Sequence, residues 1–156
     1  MTQLGFSLNV SRCSGCMACV VACMDQNDLP ENGPGFRYVA RIETGTYPSA
    51  EISFASISCF NCRNAPCVIV CPTGAIKRRR RDGIVQVNPD LCIGCRSCLM
   101  ACPFGAPGFL EGKKMSKCNS CLERLDHGLE PACVRICPTR ALGFGQVDEL
   151  IAENRE

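Results

Sequence analysis

The stretch from Leu91 to Pro103 reads LCIGCRSCLMACP and contains four of the chain's sixteen cysteines. Its spacing is Cys-x2-Cys-x2-Cys-x3-Cys-Pro, the spacing with which thiolates bind a [4Fe–4S] cubane. Three closely spaced cysteines can surround one face of a cluster, while the fourth, displaced by a helical turn, usually reaches another cluster. We expect Gly94 to take a positive φ in this tight turn and Pro103 to end the helix.

The same pattern occurs three more times along the chain, so the sequence contains an internal repeat. The first quartet has the regular spacing, the second has four residues in its middle gap, and the last has eleven. Bacterial two-cluster ferredoxins are built from pairs of such motifs. The sequence therefore predicts an α+β fold of two bacterial-type 2[4Fe–4S] ferredoxin-like modules that carry four [4Fe–4S] clusters. The other three quartets are Cys13, Cys16, Cys19 and Cys23; Cys59, Cys62, Cys67 and Cys71; and Cys118, Cys121, Cys133 and Cys137.

The composition agrees with a globular metal protein. Cysteine makes up about a tenth of the 156 residues, tryptophan is absent, and the formal net charge is +2, a cysteine content at which a disulfide scaffold or a metal protein has to be considered. The N-terminus shows no export signal, and we therefore expect a cytoplasmic location. Because cytosolic thiols are kept reduced, this expectation disfavours disulfides and favours metal binding.

Several local elements are predicted between the quartets. Residues 17–24 form an apolar helical turn beside the first cluster, and two β-prone runs, residues 36–44 and 50–58, form a hairpin. The pair Asp82-Gly83 between two further β-prone runs predicts a second hairpin. Val147–Glu153 has the pattern of a terminal helix.

Two other classes of protein agree with parts of the sequence. Four structural zinc sites would also use sixteen cysteines, although the quartet spacing followed by proline favours cubanes. The basic run at residues 77–81 suggests a nucleic-acid-associated iron–sulfur protein, but a solvated hairpin or a docking surface for an acidic partner is the preferred interpretation. His127 is the only histidine, which excludes a Rieske centre, and no motif for bond-making catalysis is present.

The four quartets resemble those of the four-cluster electron-transfer subunits of complex iron–sulfur molybdoenzymes, such as dimethyl sulfoxide reductase, polysulfide reductase and formate dehydrogenase. The similarity extends from Cys13 to about Leu142 and includes both irregular gaps. It implies a non-catalytic subunit whose clusters form a wire. One end would meet a molybdenum- or tungsten-pterin catalytic subunit, and the other an electron acceptor or a flavin subunit.

The resemblance also implies how the quartets pair, the first with the fourth and the second with the third. An outer module, residues 1–35 and 104–146, then encloses an inner module, residues 36–103, and residues 147–156 form a C-terminal helix or tail. The implied ligands are Cys13, Cys16, Cys19 and Cys137 for cluster A; Cys118, Cys121, Cys133 and Cys23 for cluster B; Cys59, Cys62, Cys67 and Cys102 for cluster C; and Cys92, Cys95, Cys98 and Cys71 for cluster D.

The partner is predicted from what the chain lacks relative to larger members of this group. Its short length, with no membrane span and no long C-terminal segment, favours the small four-cluster subunits of cytoplasmic tungsten enzymes of the aldehyde oxidoreductase type. The alternative is the iron–sulfur subunit of a membrane-linked molybdoenzyme, such as a dimethyl sulfoxide, polysulfide or formate oxidoreductase. We expect no direct membrane insertion and no nucleic-acid partner.

Overall fold

The computed structural model describes residues 2–109 and 114–153 and confirms the predicted α+β class, with short helices and strands following one another. Within these residues the strands form four antiparallel two-stranded sheets. The strands are β1 (Leu4–Leu8), β2 (Arg37–Thr44), β3 (Glu51–Ser58), β4 (Ile76–Arg78), β5 (Val85–Val87), β6 (Gly108–Phe109), β7 (Met115–Ser116) and β8 (Leu142–Gln146). The helices are α1 (Ala18–Gln26), α2 (Pro66–Ile69), α3 (Ser97–Ala101), α4 (Leu122–Asp126), α5 (Ala132–Arg135) and α6 (Val147–Glu153), with a 3-10 turn at Val10–Arg12. No helix in the described part of the chain has the length and apolar character needed to cross a membrane.

Strands β1 and β8, which lie near opposite ends of the chain, pair with each other. Phe6 lies opposite Phe144, and their rings pack with centroids 5.0 Å apart, a usual distance for tilted aromatic pairs. The pairing continues beyond the strands, because the backbone N–H of Asn9 donates to the carbonyl of Ala141 at 2.8 Å. The first and fourth quartets therefore lie side by side. The sequence analysis did not predict this pair.

Strands β2 and β3 form the first predicted hairpin, with bounds within one residue of those expected. Arg37 lies opposite Ser58 and Val39 opposite Ser56. At this end of the hairpin Arg37 is buried, whereas the residues toward the turn are exposed. The hairpin thus places a charged side chain in the interior, close to α1, which contacts β2.

Strands β4 and β5 form the second predicted hairpin, with Arg78 opposite Val85. The connection is longer than the two-residue turn that an Asp-Gly pair favours, since residues 79–84 all lie in the loop. Asp82 organises that loop, because its Oδ1 accepts from the N–H of Ile84 at 3.1 Å and its carboxylate pairs with Arg79. Ile84, expected in the strand, is instead a buried loop residue.

The residue before the second cysteine of every quartet has a positive φ. The angles are 69° at Gly15, 46° at Asn61, 70° at Gly94 and 59° at Ser120, as expected for the glycine of the opening stretch. At Gly15 the site also demands a close approach, since a Cβ there would lie 2.6 Å from the ring of Phe54. The turn around each set of sulfurs therefore requires a left-handed residue, which glycine adopts most easily.

The helices begin at equivalent places in the repeats. Met17 and Arg96, with φ near +63° and +64°, precede α1 and α3, while Pro66 and Pro131 stand at the start of α2 and α5. The predicted helical turns near the cysteines are thereby confirmed, and α6 has the predicted bounds. Helix α4 was not predicted, because it lies within the eleven-residue gap. His127 follows this helix and is exposed.

Two groups of buried apolar side chains form the interior, and cysteines belong to both. One contains Cys19, Cys133 and Leu142. The other includes Cys98 and Met115. Strands β6 and β7 thus pack beside the third quartet, although the predicted division assigns this segment to the outer module. Residues 110–113 of the predicted outer module and residues 154–156 of the predicted tail lie outside the described residues.

Candidate iron–sulfur cluster sites

Site A is a cavity lined by Cys13, Cys16, Cys19 and Cys137. The turn before α1 and the first turn of that helix position the first three, and Cys137 follows α5. Cys19 is buried and Cys16 is exposed. The hydroxyl of Ser56 on β3 lies 3.2 Å from the Cys19 Sγ, so this site is in contact with the β2–β3 hairpin.

Site D has the same construction around α3. Its cavity is lined by Cys92, Cys95, Cys98 and Cys71. Cys98 is buried and Cys95 is exposed. The backbone N–H of Met115 on β7 donates to the Cys92 Sγ at 3.4 Å, which explains why that strand packs here.

Site C is a cavity lined by Cys59, Cys62, Cys67 and Cys102, together with the side chain of Lys117. Burial raises the pKa of the Cys67 thiol, and the Lys117 ammonium opposes that shift. A cation beside these sulfurs favours their thiolate form, which is the form that binds metal.

Site B is formed by Cys23, Cys118, Cys121 and Cys133, all four of them buried. Burial and the three neighbouring thiols raise the pKa of Cys23 to about 12, and burial raises that of Cys118 to about 11. These thiols are neutral when nothing is bound to them. Because ligation requires thiolates, metal binding at this site must release protons.

Each of the four groups combines three cysteines of one quartet with the last cysteine of another. These are the combinations that the resemblance implies, and the structure brings their members together. All sixteen cysteines are free. Among residues 2–109 and 114–153, no three Cys, His, Asp or Glu side chains converge as they would around a single metal ion. In sites A, C and D the thiols instead surround a cavity.

Backbone N–H groups are directed at several of these sulfurs. Ser120 donates to the Cys118 Sγ at 3.4 Å, and Ala141 donates to the Cys137 Sγ at 3.3 Å. Such bonds stabilise the anionic form of sulfur and help to set the potentials of iron–sulfur clusters. Soft thiol ligands with N–H donors to sulfur fit a [4Fe–4S] cluster in each site.

A second repeated sequence, not recognised in the sequence analysis, follows two of the last cysteines. It reads CPTGAI from Cys71 and CPTRAL from Cys137. The hydroxyls of Thr73 and Thr139 each lie 3.7 Å from the Sγ of the cysteine two residues earlier. Burial acts to raise the pKa of both thiols, but hydrogen bonds from nearby backbone N–H groups and these hydroxyls lower it overall. Both loops are therefore suited to a thiolate ligand.

Two buried cations are further residues that the sequence analysis missed. Arg37 is 2% exposed and Lys117 is 5% exposed, and no carboxylate of the described residues lies within 4 Å of either. Lys117 Nζ donates to the carbonyls of Val85 at 2.5 Å and Cys118 at 2.9 Å, and to Asn61 Oδ1 at 3.3 Å. Charged side chains are rarely buried without an ion pair, and both of these lie beside groups of cysteines.

The basic run at residues 77–81 is partly engaged within the chain. Arg79 pairs with Asp82 and Asp126, and Arg81 also pairs with Asp126. These contacts tie the β4–β5 loop to α4. The interpretation as a hairpin face, preferred over a nucleic-acid patch, agrees with this geometry.

The four groups of free thiols, with their N–H donors and buried cations, define the class of protein as an iron–sulfur protein. Comparison with known proteins then identifies the family: two models of the 4Fe-4S dicluster domain match residues 50–147 and 12–75. The chain belongs to the 4Fe-4S dicluster domain family. Two dicluster domains imply four [4Fe–4S] clusters, the number predicted from the sixteen cysteines. This family supports clusters over the alternative interpretation as four structural zinc sites.

Individual relatives extend over almost the whole chain. It is 45% identical to the B subunit of the anaerobic dimethyl sulfoxide reductase of Escherichia coli K12 over 159 residues, covering 96% of this chain and 76% of the relative. It is 43% identical to YnfG of the same strain, a probable anaerobic dimethyl sulfoxide reductase subunit, with the same coverage. It is 44% identical to protein NrfC of that strain, covering 94% of this chain and 67% of the relative.

Proposed function

We propose that this chain is the iron–sulfur electron-transfer subunit of a molybdoenzyme complex, without a catalytic centre of its own. The similarity to the B subunit of dimethyl sulfoxide reductase supports this proposal. It favours the membrane-linked molybdoenzyme alternative over the tungsten aldehyde oxidoreductase that the sequence analysis preferred. That preference depended on length and on missing segments, whereas the similarity covers 96% of the residues present. The expected cytoplasmic location stays a prediction.

We further propose that sites A to D each bind one cluster and that the clusters lie in the order A, B, C, D. What supports the order is that one thiol in each pair of successive sites lies close enough to act on the pKa of a thiol in the other site. The neighbouring thiols are Cys19 and Cys133 between A and B, Cys59 and Cys118 between B and C, and Cys67 and Cys98 between C and D. In this arrangement the outer module, residues 1–35 and 104–146, holds A and B, and the inner module, residues 36–103, holds C and D.

The single observation that carries the proposal is the gradient of exposure along this row. Site B is buried at all four cysteines, whereas each end of the row has one exposed cysteine, Cys16 in site A and Cys95 in site D. A partner can approach these two ends more closely than it can approach site B. Electrons would therefore enter at one end and leave at the other.

The work of the chain is to hold and insulate the clusters. When bound, each cluster accepts and releases one electron. The thiols hold the clusters, the N–H donors such as those of Ser120 and Ala141 stabilise charge on sulfur, and the buried surroundings of site B exclude water. Helices α1 and α3 fix the spacing between the third and last cysteines of their quartets.

The cluster content is the first test. Protein purified without oxygen is expected to contain about sixteen iron and sixteen sulfide ions per chain, corresponding to four cubanes. Electron paramagnetic resonance of the reduced protein should show interacting clusters. Zinc without acid-labile sulfide would overturn the proposal.

The partner is tested separately by purification from the native host. We expect a large subunit containing a molybdenum-bound pterin to accompany the chain. Rapid reduction of the clusters by the substrate-reduced partner would show that electrons pass between the two. A lone chain that exchanges electrons freely with soluble carriers would contradict the assignment to a complex.

A further inference from the structure

We propose that Arg37 is a shared counter-charge for the clusters of sites A and B, acting directly on B and through Ser56 on A. In this role it raises the reduction potentials of both clusters and leaves those of C and D unchanged. The inference deepens the proposed function and rests on its cluster assignment. Arg37 would be a positioning and potential-setting residue, since no group reacts on it.

Arg37 is a buried cation with no carboxylate within 4 Å among the residues that the structure describes. Its side chain is 2% exposed, its guanidinium carbon lies 4.6 Å from the ring centroid of Phe6, and its Nε has no hydrogen-bond partner. Burying an unpaired charge costs several kcal/mol. An anionic cluster beside the guanidinium would offset that cost.

The Arg37 guanidinium lies close to the thiols of site B. Phe6, over which the guanidinium stacks, packs against the buried group that contains Cys133. The charge of Arg37 acts to lower the pKa of Cys23, Cys118 and Cys133, against the larger effect of burial. Reduction adds a negative charge to the cluster that these residues surround. A fixed cation stabilises the reduced form more than the oxidised form, so the reduction potential rises.

A hydrogen-bond chain through Ser56 connects Arg37 to Cys19 of site A. Arg37 Nη1 donates to the Ser56 Oγ at 3.0 Å. Since the oxygen of Ser56 accepts this bond, its own O–H is free to donate to the Cys19 Sγ, 3.2 Å away. Arg37 Nη2 donates to the Ser58 Oγ at 3.0 Å and holds the guanidinium in place. One cation therefore acts on both outer-module sites.

The test compares cluster potentials in three variants of the cluster-loaded protein by potentiometric titration monitored by electron paramagnetic resonance. Arg37→Gln should lower two of the four potentials. The potential of the site B cluster, on which Arg37 acts directly, should fall by about 59 mV, which corresponds to a tenfold loss in the equilibrium constant for one-electron reduction. Ser56→Ala should lower only one of those two. Arg41→Gln removes the same charge from an exposed position of β2 and should move none.

Failure of the proposed role of Arg37 can be distinguished from failure of the proposed function. The wild-type iron and sulfide content establishes the four clusters first, and only then are the potentials compared. Unchanged potentials in Arg37→Gln, or an equal shift of all four, would overturn the role of Arg37 and leave the electron-transfer proposal intact.

A charge-preserving variant keeps the inference testable if Arg37→Gln fails to assemble. Arg37→Lys should assemble four clusters and keep the potential of the site B cluster, on which the charge acts directly, close to the wild-type value. If the lysine variant loses as much potential as the glutamine variant, or assembles as poorly, the charge is not the cause and the proposal is wrong.

Discussion

The Asn61 Nδ2 donates a hydrogen bond to the Ser120 Oγ at 3.0 Å and joins the second quartet to the fourth. Both residues occupy the left-handed position before the second cysteine of their quartets, and both are buried. Asn61 Oδ1 also accepts from the N–H of Val85 at 3.0 Å and from Lys117. One amide side chain therefore connects sites B and C through three segments of the chain.

Replacing Asn61 by alanine should destabilise the protein more than replacing its partner Ser120. Asn61→Ala leaves the Val85 N–H without its acceptor, removes one acceptor from Lys117 and the donor to Ser120, and puts alanine at a φ of 46°. The expected loss is about 2 to 4 kcal/mol. Ser120→Ala removes a single bond of this set and should cost about 1 to 2 kcal/mol. Anaerobic denaturant titration of the cluster-loaded proteins measures both; equal losses would contradict a central role for Asn61.

A methyl group at Gly15 should disturb site A more than the same change at Gly105. Both glycines have positive φ, but a Cβ at Gly15 would lie 2.6 Å from the ring of Phe54, whereas Gly105 faces open space. Gly105→Ala thus measures backbone strain alone, about 1 kcal/mol. Gly15→Ala adds a steric clash and should cost about 1 to 3 kcal/mol more. Iron content and thermal unfolding test this, and similar values for the two variants would show that Phe54 moves aside easily.

Replacing Cys71 by serine should perturb the cluster of site D, not that of its sequence neighbours. Cys71 lines the same cavity as Cys92 and Cys95, and Cys59 lines another. The Cys71→Ser substitution is expected to change the same spectroscopic signal that Cys92→Ser changes. A change in the signal affected by Cys59→Ser would refute the exchange of last cysteines between quartets.

The carboxylate of Asp82 should make stability depend on pH in the acid range. Burial acts to raise its pKa, but hydrogen bonds from Arg79 and from the N–H of Ile84, with the charge of Arg79, lower it overall. A lowered folded-state pKa gives stability that is present above the unfolded pKa of about 3.9 and is lost as the pH falls through the folded value. Asp82→Asn should therefore be less stable at pH 7 and approach the wild type in acid.

Anaerobic unfolding at pH 7 and at a series of pH values below 4 checks this prediction, because the stabilisation is lost only between the unfolded pKa and the lower folded pKa. Both proteins carry the same clusters, so only the difference between them is compared at each pH. A stability gap that stays constant well below pH 4 would show that the ionised form of Asp82 is not what stabilises the loop.

Local patterns were sufficient to predict the two hairpins, α6 and the left-handed glycines, because each depends on residues close in sequence. The β1–β8 pair was missed, since two five-residue strands separated by most of the chain give no local signal. Helix α4 was missed because the length of a gap between two cysteines does not predict the secondary structure within it. The helix instead gains ion pairs from Arg79 and Arg81.

The cysteines that form each candidate site were predictable, but their surroundings were not. Cysteine spacing identifies thiolates directly, because short turns fix which sulfurs share a face. Arg37 and Lys117 could not be placed in the same way, since charged residues are expected at the surface. Only the folded hairpin brings Arg37 to Cys133, and only the pairing of distant segments brings Lys117 beside Val85.

Because β1 pairs with β8, the first and fourth quartets share sites A and B, and the sequence positions of their cysteines set the order in which the sites become complete during synthesis. By the time Cys102 has been made, every cysteine of sites C and D is present. Sites A and B wait for residues near the other end, up to Cys137. The nascent chain therefore has to keep the thiols of its first quartet reduced and unmetallated, or hold them provisionally, until more than a hundred further residues have followed.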